Sequence, residues 1–266
     1  MNGTGTGQPG RAVTARSLPP RPSGVREVLA YNWPLYTAGG LTAAAGPVLA
    51  GRLPRLPAAA VRAGALTAAG LLAAATVATW WVYDHSELHS FDWLPELLPA
   101  GPGAHLVVSA GLDEAARPIA ARHPHAAQTV VDLYDPVLMT EGSIRRARRR
   151  VPPAPGTVPA TPGRLPVATG TLDTVFAVFA AHELRHRADR EALFAEISRV
   201  LRPGGTLLLV EHLRDAANTA VYGPGALHFL PRREWLRLAA LAGLSRTGER
   251  RIAGLVTALA FAEGAS

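Results

Sequence analysis

The stretch Ile197-Ser-Arg-Val-Leu-Arg-Pro-Gly-Gly-Thr-Leu-Leu-Leu209 changes from a helical pattern to a strand pattern. Apolar residues recur every three or four positions up to this point and predict an amphipathic helix over 189–201. The Pro-Gly-Gly turn at 203–205 cannot continue that helix, and the apolar run over 206–210 is typical of a buried strand. The stretch therefore predicts one helix–turn–strand unit of an α/β fold.

The same alternation extends to both sides of this unit. Short apolar strands are expected over 105–109, 129–132, 172–181 and 255–262, and helices over 113–123, 140–150 and 232–242. Strands that alternate with helices pair in parallel and carry helices on both faces of the sheet. The sequence therefore predicts a doubly wound α/β domain over 104–266.

Composition narrows the kinds of protein that the chain can be. It has 266 residues, no cysteine, and 27 basic residues, all arginine, against 20 acidic ones. Without cysteine, disulfide scaffolds, thiolate zinc sites and cysteine nucleophiles are excluded.

The densest positive charge, Arg145-Arg-Ala-Arg-Arg-Arg150, has no interleaved aromatic residues. We therefore expect a solvated or lipid-facing helix there, and no nucleic-acid partner.

The part of the chain before this domain has a different amino-acid composition. Residues 1–32 are rich in Gly, Thr and Pro and are expected to be a disordered tail, residues 33–83 a two-helix transmembrane hairpin, and residues 84–103 an acidic connector. The uncharged run over 63–83 is long enough to cross a bilayer, and its terminal aromatic residues suit the headgroup region. An Ala-rich hairpin packed on the α/β domain is the alternative.

Several motifs of the α/β domain together resemble a known family. They are Leu165-Pro-Val167, Leu172-Asp-Thr-Val175, the Leu-Arg-Pro-Gly-Gly turn at 201–205, and the later pieces His228-Phe-Leu, Glu234-Trp-Leu and Ala242-Gly-Leu. In this order they resemble class I S-adenosylmethionine-dependent methyltransferases, most closely the group that includes the quinone methyltransferases. The resemblance covers residues 104–262 and implies a seven-stranded, mostly parallel sheet.

The resemblance also implies where S-adenosylmethionine binds. Ligands of such sheets lie beyond the carboxyl ends of the strands, and the matching positions are Ser109, Gly111, Asp132, Thr161 and Ala181. Asp132 ends the second strand, where a carboxylate can accept both ribose hydroxyls; a turn or helix-cap role is the alternative. The family's first loop normally reads acid-x-Gly-x-Gly-x-Gly, whereas this chain keeps only Gly111.

Histidines follow the strands at the same edge of the expected sheet. His182 comes after the family's fourth strand, His212 after its fifth, and His228 further along the chain. Methyl transfer is an in-line displacement, so the protein mainly aligns the acceptor and removes its proton, which suits an imidazole. We expect these three histidines, in that order, to be catalytic; hydrogen-bonded structural histidines are the alternative.

One segment, His182-Glu-Leu-Arg-His186, also fits the H-E-x-x-H pattern of zinc peptidases. On a continuous helix this spacing places two imidazoles on one face beside a glutamate general base. Here the segment directly follows an expected strand and precedes Asp189, where a helix is expected to start. We therefore expect no metal ligands, and a membrane zinc peptidase remains an alternative function.

The combined expectation is a membrane-anchored methyltransferase that acts on a small, lipophilic acceptor and contacts membrane lipid. Because S-adenosylmethionine is intracellular, we expect a cell-membrane protein with a cytoplasmic catalytic domain. The tail and the loop at 52–62 are both arginine-rich, yet a hairpin places them on opposite sides of the membrane. The incomplete glycine loop leaves a further alternative, a divergent member of the fold that binds a ligand or partner without methylating it.

Overall fold

The computed structural model describes residues 23–263, in which two long helices precede an α/β sheet domain. The strands are β1 (His105–Ser109), β2 (Gln128–Asp132), β3 (Val158–Pro159), β4 (Leu172–Val178), β5 (Leu201–His212), β6 (Leu244–Ile252) and β7 (Val256–Glu263). The helices are α1 (Gly24–Ala50), α2 (Arg55–Thr79), α3 (Leu94–Leu97), α4 (Ala116–Arg122), α5 (Gly142–Arg150), α6 (Arg187–Val200), α7 (Ala216–Tyr222) and α8 (Arg232–Leu241). A π-helical turn, Trp80–His85, continues α2, and 3₁₀ turns lie at Ala181–Glu183 and Gly223–His228.

The seven strands form one sheet in the order β3-β2-β1-β4-β5-β7-β6. Strands β1 to β5 pair in parallel, and β7 pairs antiparallel with both β5 and β6. The chain proceeds from β1 to one side of the sheet and returns with β4 to the other, so the crevice beyond β1 and β4 is the topological switch point. The prediction of a doubly wound, mostly parallel seven-stranded sheet is confirmed.

Hydrophobic residues cover both faces of the sheet because successive side chains of a strand point in opposite directions. Along β5, Leu207 and Leu209 belong to one core cluster, together with Phe194 of α6 and Trp235 of α8. Leu208 between them belongs to the other cluster, which the connector and α4 cover. Burial on both faces explains why β1, β4 and β5 read as continuous apolar runs.

Several elements differ from the sequence expectation. Strand β6 is an edge strand whose central residues are charged and largely exposed, and β3 has only two residues, in a Pro-rich segment where we expected no strand. Strand β5 begins at Leu201, directly after α6, so the expected turn at 203–205 lies within the strand, and β4 ends at Val178 rather than at 181. Helix α4 begins at Ala116 rather than at 113, because the Asp113 carboxylate accepts hydrogen bonds from the Ala115 and Ala116 amides, each at 2.9 Å.

Helix α1 begins at Gly24, so residues 24–32 are helical although we expected them in the tail. The Asp84 carboxylate accepts hydrogen bonds from the Gly24 amide at 2.6 Å and the Val25 amide at 3.0 Å. These amides are among the unsatisfied donors at a helix start, so a residue distant in sequence caps α1. The expected tail over 1–22 lies outside the described residues.

Small residues let α1 and α2 approach each other closely. A Cβ atom added at Gly46 would lie 2.5 Å from the Cβ of Ala65, and one added at Gly39 would lie 2.8 Å from Cδ1 of Leu72. By length and composition, one helical segment within residues 23–263, Arg55–His85, could cross a membrane. The helical pair that we expected is therefore present, and one of its two members meets the criterion for a span.

Candidate active site

A cavity of about 400 Å³ lies at the carboxyl ends of β1, β4 and β5. From the sheet domain it is lined by Ala110, Leu112, Glu114, Glu141, Ser143, Ile144, Ala147, Phe179, His182, Glu183, His212, Tyr222, Gly225, His228 and Phe229. Its opposite wall comes from the helical pair and its π-helical turn: Val28, Tyr31, Asn32, Leu35, Tyr36, Ala75, Thr79 and Tyr83. A volume of this size suits a small molecule.

All three expected catalytic histidines reach this cavity. His182 lies in the turn after β4, His212 ends β5, and His228 ends the 3₁₀ turn after α7. Their positions follow from the parallel topology, which brings the carboxyl ends of β4 and β5 to one edge of the sheet.

His182 is held between two carboxylates. Its Nδ1 lies 2.6 Å from Oε2 of the buried Glu211, and its Nε2 lies 3.3 Å from Oε1 of Glu183. Burial alone would lower the pKa of His182, but Glu211 and Glu183 outweigh burial and raise this pKa to about 10. At neutral pH, His182 is therefore a cationic hydrogen-bond donor in the metal-free protein, and not a free base.

His228 stands opposite His182, with the two ring centroids 5.3 Å apart. Its Nδ1 lies 3.1 Å from Oε2 of Glu141, and its Nε2 lies 3.9 Å from Oε1 of Glu183. Arg185 reaches the same place, because its guanidinium lies 2.6 Å from Oε1 of Glu141 and 2.5 Å from the His228 ring nitrogens. Burial would lower the pKa of His228, but the hydrogen bonds to Glu141 and Glu183 raise it. We call Glu141, His182, Glu183, Glu211 and His228 the His–Glu cluster.

His212 has the opposite electrostatic environment. Its Nδ1 lies 3.2 Å from Oδ1 of Asn218 and 3.1 Å from the Leu255 carbonyl oxygen. Because both partners accept, Nδ1 carries the proton, and Nε2 accepts a hydrogen bond from the Tyr83 hydroxyl at 3.2 Å. Burial lowers the pKa of His212 to about 4. His212 is therefore neutral at physiological pH, with an acceptor nitrogen toward the cavity.

Asp132 is engaged within the protein. Its Oδ1 accepts hydrogen bonds from the Gly111 amide at 2.9 Å and the Tyr134 amide at 3.1 Å, and its Oδ2 accepts one from Arg148. Gly111 has a φ of +94°, and a Cβ atom there would lie 2.8 Å from the Tyr134 ring and 2.9 Å from Ile144. Helix α5 therefore covers the ends of β1 and β2.

The other three expected cosubstrate residues also lie away from the cavity wall. The Ser109 hydroxyl donates to the Val131 carbonyl oxygen at 3.1 Å. Ala181 is fully buried at the start of its 3₁₀ turn, and Thr161 is exposed, where its carbonyl oxygen accepts a hydrogen bond from the Arg164 amide. The cavity instead meets the loop after β1 at Ala110 and Leu112, which flank Gly111 in sequence.

The residue types at this edge fit S-adenosylmethionine. Asp132 places a carboxylate at the end of β2, and Glu114, whose Oε2 lies 2.8 Å from Nε2 of His89, places a second one on the cavity wall. A ribose bound at Asp132 would have to displace Arg148, and a nucleotide close to Gly111 would have to displace Ile144. Sequence reasoning missed Glu114, for which an acid just after the glycine was the available signal.

The positions of His182 and His186 do not match the zinc site of a peptidase, so the zinc-peptidase alternative is wrong. His182 and Glu183 lie in a 3₁₀ turn, whereas His186 is exposed and immediately precedes α6. The two histidines therefore do not share the face of one continuous helix, which H-E-x-x-H chemistry requires. His228, which is far away in sequence, takes the place beside His182 and Glu183.

Comparison with known proteins agrees with this architecture. A sequence family described as a methyltransferase domain matches residues 106–209. The chain is 32% identical over 139 residues to the ubiquinone/menaquinone biosynthesis C-methyltransferase UbiE of Syntrophotalea carbinolica. That match covers 52% of this chain and 56% of the relative, so the chain spans little more than half of the relative's length.

The solved structures to which the chain is similar include two S-adenosylmethionine-dependent methyltransferases. One, from Aquifex aeolicus, is 17% identical with a TM-score of 0.45, and the match covers 66% of this chain and 91% of the other. One from Methanosarcina mazei is 12% identical with a TM-score of 0.48, covering 66% and 98%.

Proposed function

We propose, on the premise that the chain contains a class I S-adenosylmethionine-dependent methyltransferase domain, that it methylates a small lipophilic acceptor bearing an aromatic hydroxyl group. The acceptor enters the cavity from the side of α1 and α2. The curated relative carries quinone biosynthesis in its name, which supports a quinol-like ring as the first acceptor to test.

The observation that carries this proposal is the composition of the cavity wall. The carboxyl-end edge of the sheet contributes the His–Glu cluster. The helical pair contributes the opposite wall, with apolar and aromatic side chains. Phe179 and Phe229 stack on the two sides of His212, at centroid distances of 5.3 and 4.9 Å. A planar ring with one polar substituent matches this combination of aromatic surfaces and a polar end.

The chain's own residues would align the acceptor and handle its proton. Bound S-adenosylmethionine supplies an electrophilic methyl group. The protonated His182 donates a hydrogen bond to the acceptor oxygen and orients the ring. Neutral His212 accepts the acceptor's proton at Nε2, directly or through the Tyr83 hydroxyl that already contacts it. The surrounding aromatic side chains exclude water from the reacting groups.

Membrane attachment is part of the proposal. The segment Arg55–His85 supplies one apolar helix, and Trp80 and Trp81 near its end are about half exposed. Aromatic residues of this kind anchor helices at the membrane interface. A bilayer next to α2 would deliver lipophilic acceptors to the cavity, with the catalytic domain on the cytoplasmic side, where S-adenosylmethionine is available.

The test uses the full chain in lipid nanodiscs with S-adenosylmethionine labelled on its methyl group. The acceptors are hydroquinones and phenols that share one ring and differ in the length of an alkyl tail. We expect label to enter the ring-bearing product, at rates that rise with tail length. Label that enters none of these acceptors, although the protein binds S-adenosylmethionine, would refute the proposed acceptor class.

Two variants separate proton transfer from binding. His212→Gln keeps a side chain of similar size but cannot accept a full proton, so we expect turnover at least about tenfold lower with unchanged affinity for S-adenosylmethionine. The matched control is His123→Gln, because His123 lies at the end of α4 and not on the cavity wall. Equal turnover in His212→Gln and in the control would remove His212 from the proton path.

A second function is favoured by one observation. Arg148 occupies Asp132 and Ile144 covers Gly111, so a protein that never admits the nucleotide would present the same arrangement. Such a divergent member of the fold would bind a lipophilic ligand in the cavity without methylating it. Calorimetric titration with S-adenosylmethionine and S-adenosylhomocysteine distinguishes the two, since only the methyltransferase binds both.

A further inference from the structure

We infer that His182, Glu183 and His228 form a binding site for a divalent transition-metal ion of the kind that zinc represents. Among residues 23–263, these three bring one possible ligand atom each within 4.8 Å of one another. All three line the cavity, and their side chains are between 11% and 29% exposed. The site shares His182 with the proposed methyl transfer, but the binding of an ion can be tested without any methyl transfer.

The spacing of the ligand atoms suits a tetrahedral ion. Nε2 of His182 lies 3.3 Å from Oε1 of Glu183, which in turn lies 3.9 Å from Nε2 of His228. Ligands about 2.0–2.1 Å from a tetrahedral zinc ion lie roughly 3.4 Å from each other. A small inward movement of His228, at the end of a short 3₁₀ turn, closes the remaining difference.

Both histidines are oriented in the manner of metal ligands. Nδ1 of His182 lies 2.6 Å from Glu211, and Nδ1 of His228 lies 3.1 Å from Glu141. In protein metal sites, the ring nitrogen that does not bind the ion donates to a carboxylate, which fixes the tautomer and increases the basicity of the other nitrogen. Here two separate carboxylates hold both Nδ1 atoms, so both Nε2 atoms are directed toward Glu183.

The charges of the cluster also suit a divalent cation. Glu141, Glu183 and Glu211 contribute three negative charges, and Arg185 returns one, which leaves two to be balanced. Two protons on the histidines can balance them, and so can one divalent ion bound to neutral imidazoles. The Arg185 guanidinium lies 2.5 Å from Nε2 of His228 and donates a hydrogen bond to the His228 carbonyl oxygen at 3.0 Å. An ion would have to displace it from Nε2, and its contacts with Glu141 and with the carbonyl oxygen do not involve that nitrogen.

Three protein ligands leave one coordination position free, and the cavity is the space beside it. Closed structural zinc sites use four protein ligands, whereas catalytic ones use three and keep one position for water or substrate. If the proposed methyl transfer holds, the ion would take the place of the proton on His182. An acceptor hydroxyl would then occupy the free position, where the ion would lower the pKa of that hydroxyl. This last role rests on the proposed function, whereas ion binding does not.

The test is titration of the full chain, in detergent and after chelator treatment, with Co²⁺ as a spectroscopic probe and Zn²⁺ as competitor. We expect one ion per chain with visible absorption typical of four- or five-coordinate Co²⁺, bleached by one equivalent of Zn²⁺. No such absorption and no calorimetric binding below 100-fold molar excess of Zn²⁺ would overturn the inference, whether or not the protein methylates any acceptor.

Variants assign the ligands. We expect His182→Ala and His228→Ala to weaken ion binding at least about 100-fold, and Glu211→Gln, one contact further out, to weaken it about 10- to 100-fold. The matched control is His186→Ala, which should bind normally because His186 is exposed and outside the cluster. Loss of binding in His186→Ala with retention in His228→Ala would overturn this ligand set. Circular dichroism and the midpoint of thermal unfolding report whether each variant is folded.

Discussion

Arg148 of α5 donates a hydrogen bond to Oδ2 of Asp132, so the carboxylate at the end of β2 is neutralised by the helix that follows it. The Arg148 guanidinium also lies 5.1 Å above the Tyr134 ring, which holds it in place. A ribose that binds Asp132 has to displace this guanidinium. We therefore expect Arg148 and the ribose of S-adenosylmethionine to compete for Asp132.

Removal of the competitor should tighten nucleotide binding. In Arg148→Gln, Asp132 keeps its two amide donors but loses the cationic partner, so we expect S-adenosylmethionine to bind several-fold more tightly. Calorimetric titration of the variant measures the change. Arg149→Gln is the matched control, since Arg149 neighbours it on the same helix without contacting Asp132. Weaker binding in Arg148→Gln would mean that the arginine belongs to the nucleotide site.

Removal of the carboxylate should have the opposite effect. Asp132→Ala eliminates the acceptor for ribose hydroxyls, and we expect S-adenosylmethionine affinity to fall roughly tenfold, which corresponds to about 1.4 kcal/mol. The same titration serves as the measurement, with S-adenosylhomocysteine as a second ligand. Unchanged affinity for both ligands would show that Asp132 has only its structural role toward the Gly111 and Tyr134 amides.

Stability should depend on the protonation of His212. Burial lowers the pKa of His212 to about 4, whereas in the unfolded chain this pKa is near the usual 6.5 of a histidine. Between these pH values the unfolded chain binds a proton that the folded protein does not, so the free energy of unfolding falls as pH drops from 6.5 toward 4. Chemical denaturation of wild type and His212→Gln at several pH values isolates this contribution. Parallel stability–pH curves for the two proteins would contradict the assignment.

The remote cap of α1 should be measurable as local protection. In Asp84→Ala, the Gly24 and Val25 amides lose their acceptor, and we expect the helix start to be destabilised by about 1 kcal/mol. Hydrogen exchange of residues 24–32 should accelerate, with little change in the sheet. Asp92→Ala controls for the loss of a connector acid, because Asp92 pairs with Arg122 instead. Equal exchange in both variants would exclude the capping role.

The contact between α1 and α2 should tolerate no added volume at Gly46. A Cβ atom there would overlap Ala65, so we expect Gly46→Ala to destabilise the helical pair by about 1–3 kcal/mol. Ala65→Gly in the same chain should restore stability. Gly40→Ala is the matched control, since no atom lies within 4 Å of the added Cβ and alanine favours helix. Thermal unfolding in detergent gives the comparison, and a neutral Gly46→Ala would disprove close packing there.

The elements that the sequence predicts correctly are those whose burial leaves a local pattern. Strands β1, β4 and β5 are buried on both faces along their apolar runs. The helical pattern ends before Pro203-Gly-Gly205, and these residues lie in the first, mostly exposed part of β5, which directly follows α6. Strand β6 escapes detection because one edge strand with exposed arginines has no apolar run. Parallel topology also explains why all three expected histidines meet at one cavity.

The remaining parts of the site depend on contacts between distant segments. Glu141 joins His228, Tyr83 joins His212, and Arg148 covers Asp132 only once the chain has folded. No spacing rule relates these pairs. For the same reason the sequence indicates a metal motif at His182 and His186, whereas the fold pairs His182 with His228.

The two walls of the cavity come from different parts of the chain, so catalysis and acceptor selectivity would depend on different residues. His182 and His212, which would activate an acceptor, belong to the sheet domain. Much of the surface that would fit the acceptor's shape belongs to α1 and α2, and Tyr83, after α2, contacts His212 from that side. Acceptor choice can therefore change through substitutions in the helical pair while the chemistry stays intact. A chain shortened to begin near Asp84 would keep the histidines but expose them to water. Its methylation rate would no longer depend on the length of the acceptor's alkyl tail. Exchange of α1 and α2 between related chains should therefore change which acceptor is methylated.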